Sequence, residues 1–250
     1  MMMTHRVGTS TPHSGLSNKG DVTSAESLLL VAIFALNVTL SMPAAARPAV
    51  SEALGPAIVI DGDTLEIGTE RIRLEGIDAP EATQSCAHRW IGTWSCGQAA
   101  TRELSQLVAG TDVVCRSQGR DKYGRMLGRC EANGLDINAE MVKRGFAWAF
   151  VKYSSTFVAE EAHARQAGIG IWQSASEPAW DFRAKRWQVA QSAAPEGCAI
   201  KGNITNRGRI YHMPWSPWYD KVRVEPARGE RWFCSETEAE QAGFRAANPG

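Results

Sequence analysis

Residues 61–81 read D-G-D-T-L-E-I-G-T-E-R-I-R-L-E-G-I-D-A-P-E. Asp61-Gly62 is a turn signal, and Thr64-Leu65-Glu66-Ile67 alternates as a half-buried strand does. Arg71-Ile72-Arg73-Leu74 alternates again up to Gly76. Asp78-Ala79-Pro80 then closes a strand, because proline has no N–H to give to a ladder. Two neighbouring strands therefore deliver Asp63 and Asp78 into one place. Carboxylate oxygens without a His or Cys pair nearby suit calcium or magnesium better than zinc. Taken singly, each residue has a plainer explanation: Asp61 as a turn former, Asp78 as a strand-end cap, Glu81 as a solvated acid. Their joint register is what points to chemistry.

Three motifs follow one another: D-G-D-T at 61–64, R-L-E-G-I-D-A-P-E at 73–81 and D-K-Y-G-R at 121–125. With N-A-E-M-V-K-R-G-F-A at 138–147 they resemble the staphylococcal (micrococcal) nuclease family, over about residues 56–172. The resemblance implies a five-stranded OB-type β-barrel with about three helices, an α+β fold. It also implies hydrolysis of DNA and RNA phosphodiesters with little sequence preference. On this resemblance Asp63, Asp78 and the backbone carbonyl of Ala79 hold one Ca²⁺. Arg73 and Arg125 grip the phosphate, and Glu81 orients or deprotonates the attacking water. Lys122 and Tyr123 match positions that hold a terminal phosphate, and Phe150 and Tyr153 are the candidates for stacking on a base. The stretch between Cys86 and Cys96 departs from the family's Lys-rich substrate loop. A competing reading is a catalytically silent OB module that only binds single-stranded nucleic acid, or an envelope-associated interaction protein. Relatives that have lost activity lack an arginine, a carboxylate or the glutamate, whereas all five are present here.

Working outward, Leu28–Leu40 is an apolar run broken only by Asn37 and Thr39, followed by Met42-Pro43-Ala44-Ala45-Ala46. The run is shorter than the ~20 residues a membrane span needs and precedes a small-residue site. Residues 1–46 thus read as a signal peptide, with an uncleaved membrane tether as the alternative, since Asp21 and Glu26 flank the run. The expected location is secreted or periplasmic, in a bacterium. All six cysteines lie beyond this segment. An even count in an exported chain favours disulfides over metal binding, and no C-x-x-C occurs. Among the fifteen connectivities that six cysteines allow, local pairing is preferred: Cys86–Cys96, Cys115–Cys130 and Cys198–Cys234.

Lys and Arg total 27, as do Asp and Glu, so the formal charge is zero and no global field draws in a polyanion. Locally, Arg116, Arg120, Lys122, Arg125 and Arg129 crowd into 14 residues, which without motif support reads as a solvated basic face. Helical spacing is expected from Ala100 to Val108, from Ile137 after an Asp136 cap, and over Ser154–Ala167. Trp172, Trp180, Phe182 and Trp187 read as packing residues of an extension that ends a first domain, 47–187. Residues 188–197 (Q-V-A-Q-S-A-A-P-E-G) have a linker composition, and 198–250 form a small disulfide-bridged module without an assignable role. A monomer without a stable protein partner is expected.

Overall fold

The computed structural model describes residues 51–247. In the barrel, β1 (Glu52–Val59) pairs antiparallel with β2 (Thr64–Ile67), which returns to β3 (Glu70–Leu74). The short β4 (Ile77–Asp78) and a small hairpin of β5 (Cys86–Ala87) and β6 (Thr93–Trp94) lead into α1 (Cys96–Val108). Next come β7 (Asp112–Arg120), β8 (Met126–Ala132), β9 (Leu135–Asp136) and α2 (Ile137–Lys143). The strand order β3-β2-β1-β7-β8 is closed by parallel pairing of β8 with β3. This is the five-stranded OB-type barrel that the family resemblance implies. No sheet edge is left between these strands to be covered separately.

Alternation fills the barrel. Leu65, Ile72 and Leu74 are buried from β2 and β3, and Ala100 and Leu104 of α1 join them. Cys115 and Cys130 face one another directly across β7 and β8 and form a disulfide inside the core. Asp136 caps α2 by accepting from the Ala139 N–H at 3.0 Å. Buried Asn138 then ties α2 to the barrel, donating to the Glu75 and Gly128 carbonyls and accepting from Cys130 N–H.

The third helix is shorter than expected. After β10 (Trp148–Ala149), Ser154 Oγ bonds Thr156 and holds a turn that buries Phe157 beneath Gly76, so α3 spans Val158–Ala167. The expected linker is also corrected. Helix α4 runs Ala179–Ala193 and takes in residues 188–193, because this stretch has neither Gly nor Pro before Pro195. Ala190 packs there with Ala199 and Tyr219.

The C-terminal module is a four-stranded sheet with one helix. Its elements are β11 (Ile200–Thr205), β12 (Gly208–His212), β13 (Arg231–Phe233), α5 (Glu236–Gln241) and β14 (Arg245–Ala246). The order is β13-β11-β12-β14, around Ile200, Tyr211, Phe233, Ala239 and Phe244, with Cys198 bridged to Cys234. Trp187 of α4 packs on this core, so barrel extension and module form one continuous body. Cys86 is bridged to Cys96, which closes the expected local set of three disulfides. Among the described residues no helix is long and apolar enough to cross a membrane. The expected signal peptide lies outside the described residues.

Candidate active site

The Asp61–Thr64 turn is held locally, with Asp61 Oδ1 accepting from the Asp63 N–H at 3.1 Å. Its closeness to the rest of the site depends on Gly62, where a Cβ would meet Ala79 Cβ at 2.7 Å and Ala100 Cβ at 2.8 Å. Asp63 Oδ2 thereby accepts from the Ala79 N–H at 2.7 Å. Because Ile72 and Leu74 point into the barrel, Arg73 between them points out of it, toward both carboxylates. It pairs with Asp63 Oδ1 and, at 2.8 Å, with Asp78 Oδ1. Asp78 is fully buried and pairs through β4 with Trp148 of β10, so Phe150 follows immediately beside the site.

Glu81 sits in the turn after Pro80. Gln84 holds that turn: its N–H donates to the Glu81 carbonyl at 2.7 Å and its Oε1 accepts from the Glu81 N–H at 3.2 Å. Gly97 admits the same carbonyl against the first turn of α1. Burial pushes the Glu81 carboxyl up to about 7, against the opposing pull of Arg183. Burial likewise raises Asp61, against Arg73.

Arg183, on α4, has no counterpart in the sequence reading. Its guanidinium grips both oxygens of Asp78 at 3.1 and 2.8 Å and reaches Glu81 Oε1 at 2.7 Å. Burial works against its charge, but the bonds to Asp78 and Glu81 outweigh this and hold it protonated more firmly than an ordinary arginine. It lies 105 residues from Asp78 in a W-D-F-R-A-K-R-W segment whose spacing carries no motif.

Asp63, Arg73, Glu81 and Arg183 line one cavity, and Lys122, Tyr123, Arg125, Phe150 and Tyr153 of the expected residues line it with them. Arg125 is held by Asp121, at 2.6 Å. Tyr123 has its hydroxyl pushed up by burial and by the carboxylate of Glu236 on α5. Phe150 stacks on Trp180 with ring centroids 5.7 Å apart, and Tyr153 meets Phe150 edge-on. The basic run is largely neutralised, since Arg116, Arg120, Arg125 and Arg129 each pair with a carboxylate.

Asp63 and Asp78 offer the oxygen donors that a hard divalent cation takes, and both are engaged by Arg73, Asp78 also by Arg183. Asp61, Asp63, Asp78 and Glu81 carry four formal negative charges, and the two guanidiniums that contact them, Arg73 and Arg183, answer two. Among the described residues no three histidine, cysteine or acidic side chains converge as a ready-made metal cluster. An ion here would rest on Asp63, Asp78 and backbone or water oxygen.

The profile of the family described as "Staphylococcal nuclease homologue" matches residues 71–174, and one described as "ArfC" matches 186–246. Over 136 residues the chain is 35% identical to the succinoglycan biosynthesis protein ExoI of Rhizobium meliloti (strain 1021), covering 53% of this chain and 71% of that one. It is 38% identical over 136 residues to an uncharacterized endonuclease of Escherichia coli O157:H7, covering 51% and 82%. It is 34% identical over 116 residues to the staphylococcal-like nuclease CAN1 of Arabidopsis thaliana, covering 45% and 33%. With the barrel closed as it is, and the D-G-D-T and D-A-P-E carboxylates meeting at Arg73, the chain belongs to the staphylococcal nuclease homologue family.

Proposed function

We propose that the protein is an exported nuclease that hydrolyses phosphodiester bonds in DNA and RNA with one bound Ca²⁺. The observation that carries this is the convergence of Asp63, Arg73 and Glu81 from separate elements on one cavity, with Asp78 buried behind it against Arg73 and Arg183. Relatives named as endonuclease and nuclease support it. Residues 47–187 are the catalytic domain, and the signal peptide 1–46 accounts for three disulfides in one small chain.

In this reading Asp63, Asp78 and the Ala79 carbonyl hold the ion, which when bound supplies positive charge to the phosphate oxygens. Arg73 and Arg125 bind the phosphate in two-pronged fashion. Arg73 does so by exchanging its carboxylate partners for phosphate oxygens. Glu81, with its carboxyl near neutrality, accepts a proton from water as the water oxygen bonds to phosphorus and the ester P–O bond breaks. The leaving oxygen takes up a proton, so water is divided between the two products. Lys122 and Tyr123 hold a terminal phosphate, and Phe150 and Tyr153 face the base.

One observation favours a second reading, nucleic-acid binding without cleavage: Arg183 engages both Asp78 and Glu81. An activity gel of the full-length protein with Ca²⁺ and with excess chelator separates the two. Substrate loss only with Ca²⁺ is expected. Cleavage that persists in chelator overturns the metal assignment, and retention without cleavage in either condition leaves the binding reading.

A further inference from the structure

The catalytic cavity does not end at the barrel. It encloses about 760 Å³, and Tyr211, Met213, Trp215 and Glu236 of the C-terminal module form part of its lining. Several bonds fasten the module there. Thr83 Oγ1, two residues beyond Glu81, donates to the Trp215 carbonyl at 3.0 Å. Arg186 Nε of α4 donates to the Pro214 carbonyl at 2.9 Å, and its guanidinium pairs with Asp220 at 3.1 Å. The Trp187 and Trp215 rings lie 6.4 Å apart. The turn Met213–Pro217 is thus clamped beside the reacting groups, and Trp215 is half-buried at the cavity.

Resting on the nuclease reading above, we propose that the C-terminal module is a substrate-selecting wall. Trp215 and Met213 receive a second unpaired base, on the other side of the phosphodiester at Arg73 and Arg125 from the base at Phe150 and Tyr153, which restricts the site to single-stranded nucleic acid. The chemistry divides the cavity in this way. The arginines are on the barrel side, together with the carboxylates Asp61, Asp63, Glu81 and Asp121, while the module contributes mainly aromatic and apolar side chains beside Glu236. A base offers a π-face for tryptophan to stack on without regard to sequence. The volume lies in the range of pockets that enclose small ligands. It admits unpaired nucleotides but not a duplex, whose bases are turned inward and whose two backbones lie on opposite outer faces.

The test uses the full-length protein, a dye-labelled single-stranded oligonucleotide, and the same strand annealed to its complement. Binding is read by anisotropy in chelator, and cleavage in Ca²⁺. Wild type is expected to bind and cleave the single strand at least about tenfold better than the duplex. Trp215→Ala should weaken single-strand binding about tenfold, the cost of one lost base stack, with duplex binding unchanged. Trp215→Phe should restore most of the difference. Trp215→Leu, which keeps apolar bulk without a ring, is read in parallel in case the alanine variant fails to fold. Equal handling of both substrates by wild type overturns the proposal, as does an equal loss on both for the folded ring-less variant. Cleavage without Trp215 dependence removes the wall and leaves the nuclease. Trp215-dependent single-strand binding without cleavage in Ca²⁺ removes the nuclease and leaves the wall.

Discussion

Arg183→Gln should make the stability of the protein depend on Ca²⁺ far more than it does in wild type. The substitution removes a guanidinium that makes two bonds to Asp78 and one to Glu81. Asp78 is 0% exposed, so its buried charge then keeps Arg73 alone as its cation. Breaking a buried pair on one side costs about 3–5 kcal/mol. Arg73 still bonds Asp78 at 2.8 Å, so the lower end, about 3 kcal/mol, is the expected loss in chelator. A cation at a hundred times its dissociation constant returns about 2.7 kcal/mol. Added Ca²⁺ should therefore bring the variant to within about 1 kcal/mol of its starting stability. Because Arg183 and the cation compete for the same carboxylate, the variant should also bind Ca²⁺ more tightly in calorimetry. Urea unfolding followed by tryptophan fluorescence, in chelator and in saturating Ca²⁺, measures the first effect. If the loss is the same in both conditions and the Ca²⁺ affinity is unchanged, Arg183 and the ion do not share Asp78, and the metal site has been placed wrongly.

Three further outcomes follow from the same geometry. Glu81→Gln should leave oligonucleotide affinity nearly intact while turnover falls ~10²–10⁴-fold, the usual worth of general-base assistance; single-turnover kinetics that keep the wild-type rate would remove Glu81 from the proton transfer. Gly97→Ala would ordinarily stabilise a helix by up to about 1 kcal/mol. Here the added methyl overlaps the Glu81 carbonyl, so the melting temperature and activity should both drop, and a rise in melting temperature contradicts the packing. Burial pushes the His212 imidazole down to about 4, and its Nδ1 has no hydrogen-bond partner. The folded pKa therefore lies below the ordinary 6.5. His212 costs nothing above that value, and stability should fall by up to about 1.4 kcal/mol per pH unit from there down to about 4. A pH series of unfolding midpoints, flattened over that window in His212→Asn, checks the sign.

Local chemistry is legible in the chain itself. The period of two in Thr64–Ile67 and Arg71–Leu74 places Leu65, Ile72 and Leu74 inside and Arg73 outside, because successive side chains of a strand must alternate. Asp136 announces the start of α2 because a short side-chain oxygen satisfies a helix-end N–H. Cysteines 10, 15 and 36 residues apart pair with their nearest partners, as short-range closure favours. The end of α4 reads as a linker because its residues are polar and small. Composition alone does not distinguish a linker from a helix whose one buried residue there, Ala190, packs on a later segment. Barrel closure, with β8 returning to β3, has no local period either; only the resemblance to a family reaches it. Arg183, and the placement of Trp215 against the barrel's cavity, lie beyond both kinds of reading. Their partners are 105 and 132 residues away, and a contact at that separation leaves no spacing in the chain. It exists only because α4 lies across the carboxylates and carries a second module with it.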